Sequence, residues 1–290
     1  MHFSTDKFLL VVLVLRYFCY HYSMYILFDI GGTKMRIAGS RDGKTISEAL
    51  VHETPQDFEQ ASAALQDAVK KIAEGETIEA YSGGIPGVVS QDGTISSSPH
   101  IQSFEGQNIK KLFGNILVPF YIENDAVLNG LGEATFGAGK GYEIVVYLTV
   151  STGVGGARIV NKKIDAHRVG FEPGHQFIDY KNNLTLEAAI SGSGIKARYG
   201  VTPPEIKDPK IWDTIHFEAA IGIYNTVLHW SPDVIVLGGA VTFHHLSLPT
   251  IENHLKQMLA AFPVIPKLVR AEFEDTAGLY GALSYLQQMT

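Results

Sequence analysis

Ile26-Leu27-Phe28-Asp29-Ile30-Gly31-Gly32-Thr33 opens on large apolar residues and closes on paired glycines beside a hydroxyl. About 120 residues later, Tyr147-Leu148-Thr149-Val150-Ser151-Thr152-Gly153-Val154-Gly155-Gly156 repeats the arrangement. A short apolar run bounded by turn residues reads as a buried strand, so each stretch predicts a strand, a glycine-containing hairpin and a second strand. A unit repeated within one chain predicts two similar lobes facing one another across a cleft. The expected boundary lies near Ile122, with an N-terminal lobe over 24–122 and a C-terminal lobe over 123–290, the last helix packing back on the first lobe.

Strand and helix patterns alternate outward from these two stretches, which argues an α/β fold. Strands are expected at Tyr25–Ile30, Met35–Gly39, Thr45–His52, Ile78–Tyr81, Val118–Ile122, Glu143–Val150, Val154–Val160, Val234–Leu237 and Val269–Phe273. Helices are expected at Pro55–Glu74, Ala126–Phe136, Ile211–Trp230, Ile251–Phe262 and Thr276–Gln288. Ser82-Gly83-Gly84-Ile85-Pro86-Gly87 reads as a loop placed beside a ligand. The apolar run Phe8–Leu15, between Lys7 and Arg16, is too short for a membrane span, which needs about 20 residues. It lacks a small-x-small cleavage site, so 1–23 is expected to be a poorly ordered, non-native extension before a start at Met24; a surface anchor over 8–22 and a signal peptide are the alternatives.

The 290 residues suffice for about two domains, and a chain this long needs no disulfide or structural metal to bury its core. A single cysteine, Cys19, excludes a disulfide framework and a multi-thiolate zinc cluster. The formal charge of −7 gives no sign of the basic face that a nucleic-acid binder presents. Glycine is over-represented, 29 of 290 against a usual share of about 7%, as expected where backbone turns sharply or approaches a ligand closely.

Backbone N–H groups converging in a glycine hairpin can hold a phosphate without a lysine-bearing loop. No Gly-x-x-x-x-Gly-Lys-Ser/Thr occurs, and no Gly-x-Gly-x-x-Gly follows the first strand, which argues against Walker-type ATPases and dinucleotide-binding oxidoreductases. Either hairpin taken alone reads first as a plain tight turn. Asp29, ending its strand, would orient hydrated Mg²⁺ or serve as a turn aspartate. In Glu123-Asn124-Asp125-Ala126 a strand passes into a helix, so Asn124 or Asp125 is a plain N-cap, or one of them caps and Asp125 serves as general base for an alcohol. Glu172, His175 and Glu187 add polar groups suited to sugar hydroxyls. The histidines, His100, His167, His175 and the His244-His245 pair, match no metal-ligand spacing.

Taken in order from Met24 almost to the C-terminus, these stretches resemble the ROK family (repressors, open reading frames and kinases) within the actin/hexokinase/Hsp70-like ATPase superfamily. Asp29 with Gly31, Gly32, Thr33 and Lys34 resembles its first phosphate loop. Glu123 to Ala126 with Gly130, Glu133 and Gly137 resembles its catalytic segment, in which the aspartate, here Asp125, is the base. Ser151, Thr152, Gly153 and Gly155 resemble the second phosphate loop, and Gly238 and Gly239 the segment beside adenosine. The resemblance implies two ribonuclease-H-like lobes and transfer of the γ-phosphoryl group of ATP, with Mg²⁺, to a hydroxyl of glucose, another hexose or an N-acyl hexosamine.

By the same resemblance, Gly84, Asn124, Glu172, His175 and Glu187 match sugar-side positions, and His100 stands where many members carry an amide. A cytoplasmic location and a homodimer are implied, with no nucleic-acid or membrane partner unless 8–22 act as an anchor. Two departures stand out. The Cys-x-Cys-Gly-x-x-Gly-Cys zinc loop that commonly follows Gly-His is missing, since 176–186 contain no cysteine, so no zinc is expected and Phe177, Ile178 and Leu184 are expected to hold the loop by packing. His100 puts the sugar's identity in question. A catalytically silent sugar-binding protein is the alternative; a repressor would need a helix-turn-helix pattern that 1–24 do not carry.

Overall fold

A computed structural model describes residues 23–90, 92–98, 101–168, 170–259 and 264–290. The expectations for the N-terminal extension, for His100 and for the end of the helix begun at Ile251 therefore fall wholly or partly outside the described residues. The chain divides into two compact units. One comprises the described residues up to Asp125 together with Ala282–Thr290, the other Ala126–Gly281.

The first unit is built on β1 (Ser23–Ile30), β2 (Lys34–Ser40), β3 (Leu50–Glu53), helix α1 (Phe58–Ala73), β4 (Thr77–Ile85), the short β5 (Val88–Val89) and β6 (Ile95–Ser97), and β7 (Phe120–Asn124). Its main sheet has the order β3-β2-β1-β4-β7. β1 pairs antiparallel with β2 and parallel with β4, which pairs parallel with β7. Strands buried on both faces lose the polar–apolar alternation, which is why β1 is almost uniformly apolar and buried. Phe28 projects into an aromatic cluster, 4.7 Å from the Phe113 ring and 5.4 Å from Phe120. Asp57 caps α1 by accepting the Gln60 N–H at 2.9 Å, so the helix starts three residues after the expected Pro55.

The second unit contains α2 (Asp125–Thr135, all but its first residue), β8 (Ile144–Val150), β9 (Val154–Val160), β10 (Lys163–Ile164), β11 (Phe177–Asp179), β12 (Leu184–Thr185), α3 (Leu186–Ile190) and α4 (Gly192–Tyr199). It continues through α5 (Pro209–Trp230), β13 (Val234–Gly238), α6 (Ala240–His244), α7 (Leu248–Met258), β14 (Lys267–Arg270) and the start of α8 (Ala277–Met289). The order β10-β9-β8-β13-β14 repeats the sense of every pairing in the first sheet: two antiparallel, then two parallel. The fold is thus α/β with two ribonuclease-H-like sheets, as expected.

Four expectations need correction. The strand expected at Val269–Phe273 lies earlier, as β14 at Lys267–Arg270 beside β13. The strand expected at Thr45–His52 covers only its last part, because the Asp42 carboxylate accepts the Lys44 and Thr45 N–H groups at 2.8 Å and holds 42–45 as a turn. Ser82 to Ile85 are not a loop: they continue β4, wedged between β1 and β7. Phe177 does not help pack the loop that lacks cysteines, since it is 57% exposed; Ile178 and Leu184 do pack on the core. Alternation along β11 sends neighbouring side chains to opposite faces. Among the described residues no helix is long and apolar enough to cross a membrane.

Candidate functional site: two braced hairpins

In the first unit, β1, β4 and β7 run parallel and end together. Register places Gly84 between Asp29 on β1 and Glu123 on β7, with Asn124 beside Ile85. The carboxyl ends of parallel strands are where open α/β sheets bind ligands. Asp29 is nearly buried, and Arg36, its cross-strand partner, stands 3.7 Å from it. Asp125, half-buried, is the first residue of α2, directly after β7. Asn124 Nδ2 lies 3.4 Å from the Gly87 carbonyl, and Asn124 N–H donates to Glu123 at 2.8 Å. Burial, and then the nearby Glu123 carboxylate, push the Tyr285 hydroxyl above its usual pKa.

Gly31 to Lys34 make the turn between β1 and β2. Every carbonyl in it is tied down: Gly31 accepts from the Thr54 hydroxyl at 2.7 Å, Gly32 from Gln56 at 3.1 Å, Thr33 from the Thr54 N–H at 2.9 Å and Lys34 from the Gly31 N–H at 2.8 Å. In a trans peptide the N–H points opposite to the preceding C=O. Tying back the Gly31 and Gly32 oxygens therefore turns the Gly32 and Thr33 N–H groups to the other side, the arrangement an anion requires.

The second unit repeats the device. Between β8 and β9, the Ser151 carbonyl accepts from the Gly192 N–H at 2.8 Å, Thr152 from Ser193 at 3.2 Å and Gly153 from Ser151 at 2.9 Å. The Thr152 and Gly153 N–H groups are thereby directed away from these donors. Gly155 lies within β9, where an added Cβ would meet Ala126 at 3.2 Å. At the adjacent strand end Gly238 is buried against Tyr147, and Gly239 takes a φ of +88° to turn the chain into α6. Glu172 and His175 are exposed with Oε2 and Nδ1 3.4 Å apart, and Glu187 Oε2 accepts the Val154 N–H at 2.8 Å.

The candidates thus gather as two groups, one in each unit: Asp29, Gly31, Gly32, Thr33, Lys34, Gly84, Asn124 and Asp125; and Ser151, Thr152, Gly153, Glu172, His175, Glu187, Gly238 and Gly239. Each turn by itself suits a phosphate, because its carbonyl oxygens are sequestered while two of its amides, Gly32 and Thr33 in one and Thr152 and Gly153 in the other, are directed to the opposite side. Among the described residues no three His, Cys, Asp or Glu side chains cluster. Sequence reasoning missed α3 and α4, whose Thr185 and Ser191 caps are ordinary start signals in pieces too short to show a helical period. It also missed a cavity of about 470 Å³ bordered by Phe171, Glu172, Gln176, Asn225, His229 and Trp230.

Comparison with known proteins gives the family. The ROK family model matches residues 25–289. A Shewanella sp. N-acetylgalactosamine kinase is 28% identical, over 89% of this chain and 95% of its own. The crystal structure of a ROK hexokinase from Thermus thermophilus aligns with a TM-score of 0.79 at 28% identity, covering 92% of this chain and 99% of that one. A ROK glucokinase from Streptomyces griseus, in complex with glucose and AMPPNP, gives a TM-score of 0.75 at 25% identity, covering 91% and 99%. With the family model matching nearly all of the sequence from Tyr25 onward, this chain belongs to the ROK family.

Proposed function

We propose that the protein is a sugar kinase that moves the γ-phosphoryl group of ATP to a hydroxyl of a hexose such as glucose, or of an N-acyl hexosamine. The observation that carries this reading is the pair of glycine turns, one in each unit, whose carbonyl oxygens are all held by the unit's own donors. The named activities of the relatives support the acceptor class: N-acetylgalactosamine kinase, hexokinase and glucokinase. The AMPPNP in the Streptomyces complex supports ATP as donor.

Magnesium ATP supplies the transferable phosphoryl group and the cation that neutralises its charge. In this reading the two turns hold the donor phosphates through backbone N–H groups, and Asp29 orients the hydrated cation. Gly84, Asn124, Glu172, His175 and Glu187 serve the sugar, and Gly238 and Gly239 the adenosine. Asp125 takes the proton of the attacking hydroxyl; phosphoryl transfer asks little more of a protein than positioning, charge stabilisation and one base. A homodimer acting in the cytoplasm on a small-molecule sugar completes the proposal.

The test is to incubate the full chain with Mg-ATP and a panel of hexoses and N-acyl hexosamines, detecting sugar phosphate by mass spectrometry. At least one sugar is expected to yield its phosphate together with ADP. Binding of a sugar by calorimetry with no phosphate formed from any panel member would favour a catalytically silent sugar-binding protein instead.

A further inference from the structure

Glu187 enters the account above only as a partner for sugar hydroxyls, yet its carboxylate is already engaged. It sits in the first turn of α3, where Thr185 caps the helix by accepting the Ala188 N–H at 3.2 Å. Its Oε2 accepts the Val154 N–H at 2.8 Å. The same oxygen stands 2.6 Å from where a Cβ on Gly153 would be, so the carboxylate fills the space beside the turn and an added methyl would push it aside. The next turn of chain completes the hold: Gly192 and Ser193 donate to the Ser151 and Thr152 carbonyls, and Ser191 caps α4 by accepting the Gly194 N–H at 2.9 Å.

From these contacts we infer that Glu187 is a positioning residue for the second phosphate turn, fixing Ser151–Gly153 for the donor nucleotide through the Val154 N–H. The inference rests on the kinase reading, because it needs that turn to hold donor phosphates. Val154 N–H is the first donor after Gly153, so tying it to a carboxylate fixes the peptide that ends the turn. The Ser193 bond fixes the orientation of the Gly153 N–H from the other side. A charged acceptor makes a stronger hydrogen bond than a neutral one, and α3 carries it on the same short segment that leads into α4. A group holding a sugar hydroxyl and this amide together would make the donor turn sensitive to the acceptor site.

The contrast between Glu187→Gln and Glu187→Ala tests this. The amide oxygen of glutamine still accepts from Val154, whereas alanine leaves that N–H without a partner. Calorimetric affinity for AMPPNP, measured on the full chain without sugar, should stay within about twofold of wild type in E187Q and weaken about tenfold or more in E187A, the range a lost bond to a charged acceptor spans. The KM for ATP should follow the same order, whereas a group touching only sugar would raise the sugar KM in both variants and leave the ATP KM alone. Deuterium uptake of the 150–155 backbone in the ligand-free chain should rise in E187A and stay near wild type in E187Q.

Should E187A not fold, Gly153→Ala is the second variant. Its Cβ displaces the carboxylate, so AMPPNP binding should weaken, and where both are obtained the double variant should lose no more than E187A alone. Unchanged AMPPNP affinity in E187A, or in G153A, with wild type binding normally, would overturn the inference and leave the kinase reading standing. A wild-type chain that binds no AMPPNP would overturn the kinase reading and with it the donor role. The uptake of 150–155 would then report only whether the Glu187 brace exists.

Discussion

Glu133 shows how a polar residue in a glycine-rich motif is legible as a motif member and not as to its task. Fully buried, it accepts N–H groups from Ala138 at 3.0 Å, Glu272 at 3.0 Å and Phe273 at 2.8 Å, and so ties α2 to the segment before α8. Nothing local in the sequence reveals those partners, which lie up to 140 residues away. His216 is a second residue of this kind. Its Nε2 accepts the Ser247 N–H at 3.0 Å, which requires a neutral ring, and burial depresses its pKa below 6.5. His245 packs above Trp212, while His254 and Asp213 also face the ring. The unfolded chain takes up a proton near pH 6.5 that the folded ring refuses. This contribution to stability is therefore full above that pH and lost as the pH falls through 6.5 toward the depressed folded value. Urea midpoints should be lower at pH 5.5 than at pH 7.5, and His216→Gln should flatten that difference; an equal slope in the variant would assign the effect to other groups.

Among the elements, α2 and α8 approach most closely where side chains are smallest. A Cβ at Gly281 would land on the Leu128 carbonyl oxygen, and one at Gly132 on that of Ala277. Both obstacles are backbone, which cannot rotate away, so Gly281→Ala should destabilise by about 3 kcal/mol, the upper end of ordinary overpacking. Urea unfolding measures it, and a change below about 0.5 kcal/mol would show that the helices separate easily. Long elements with a clear period, α1 and α5, were legible to within a few residues. The errors fell where one side chain overrides propensity, as Asp42 does, or where glycines lie inside a strand, as in β4. The β11–β12 hairpin gave no warning, being two short strands joined through an Asp179 carboxylate that accepts the Lys181 N–H at 3.0 Å.

At the scale of the whole molecule, the informative feature was repetition. Two apolar strands ending in glycine turns announced two sheets, and both sheets have the same order and the same pairing senses. The turns themselves were visible in sequence; the bonds that tie back their carbonyl oxygens were not, because Thr54, Gln56, Gly192 and Ser193 lie outside each motif. Family membership joins the two groups of residues into one proposed reaction, and that reaction depends on a single base. Asp125→Asn replaces the carboxylate by an amide of the same size that cannot take the proton. The direct test is ADP release with Mg-ATP and the best sugar, alongside calorimetric sugar binding, in wild type and variant. Turnover should fall about 10²- to 10⁴-fold, the usual contribution of a general base, with sugar affinity within a few-fold. Turnover near that of wild type would contradict the assignment of Asp125 and the mechanism built on it.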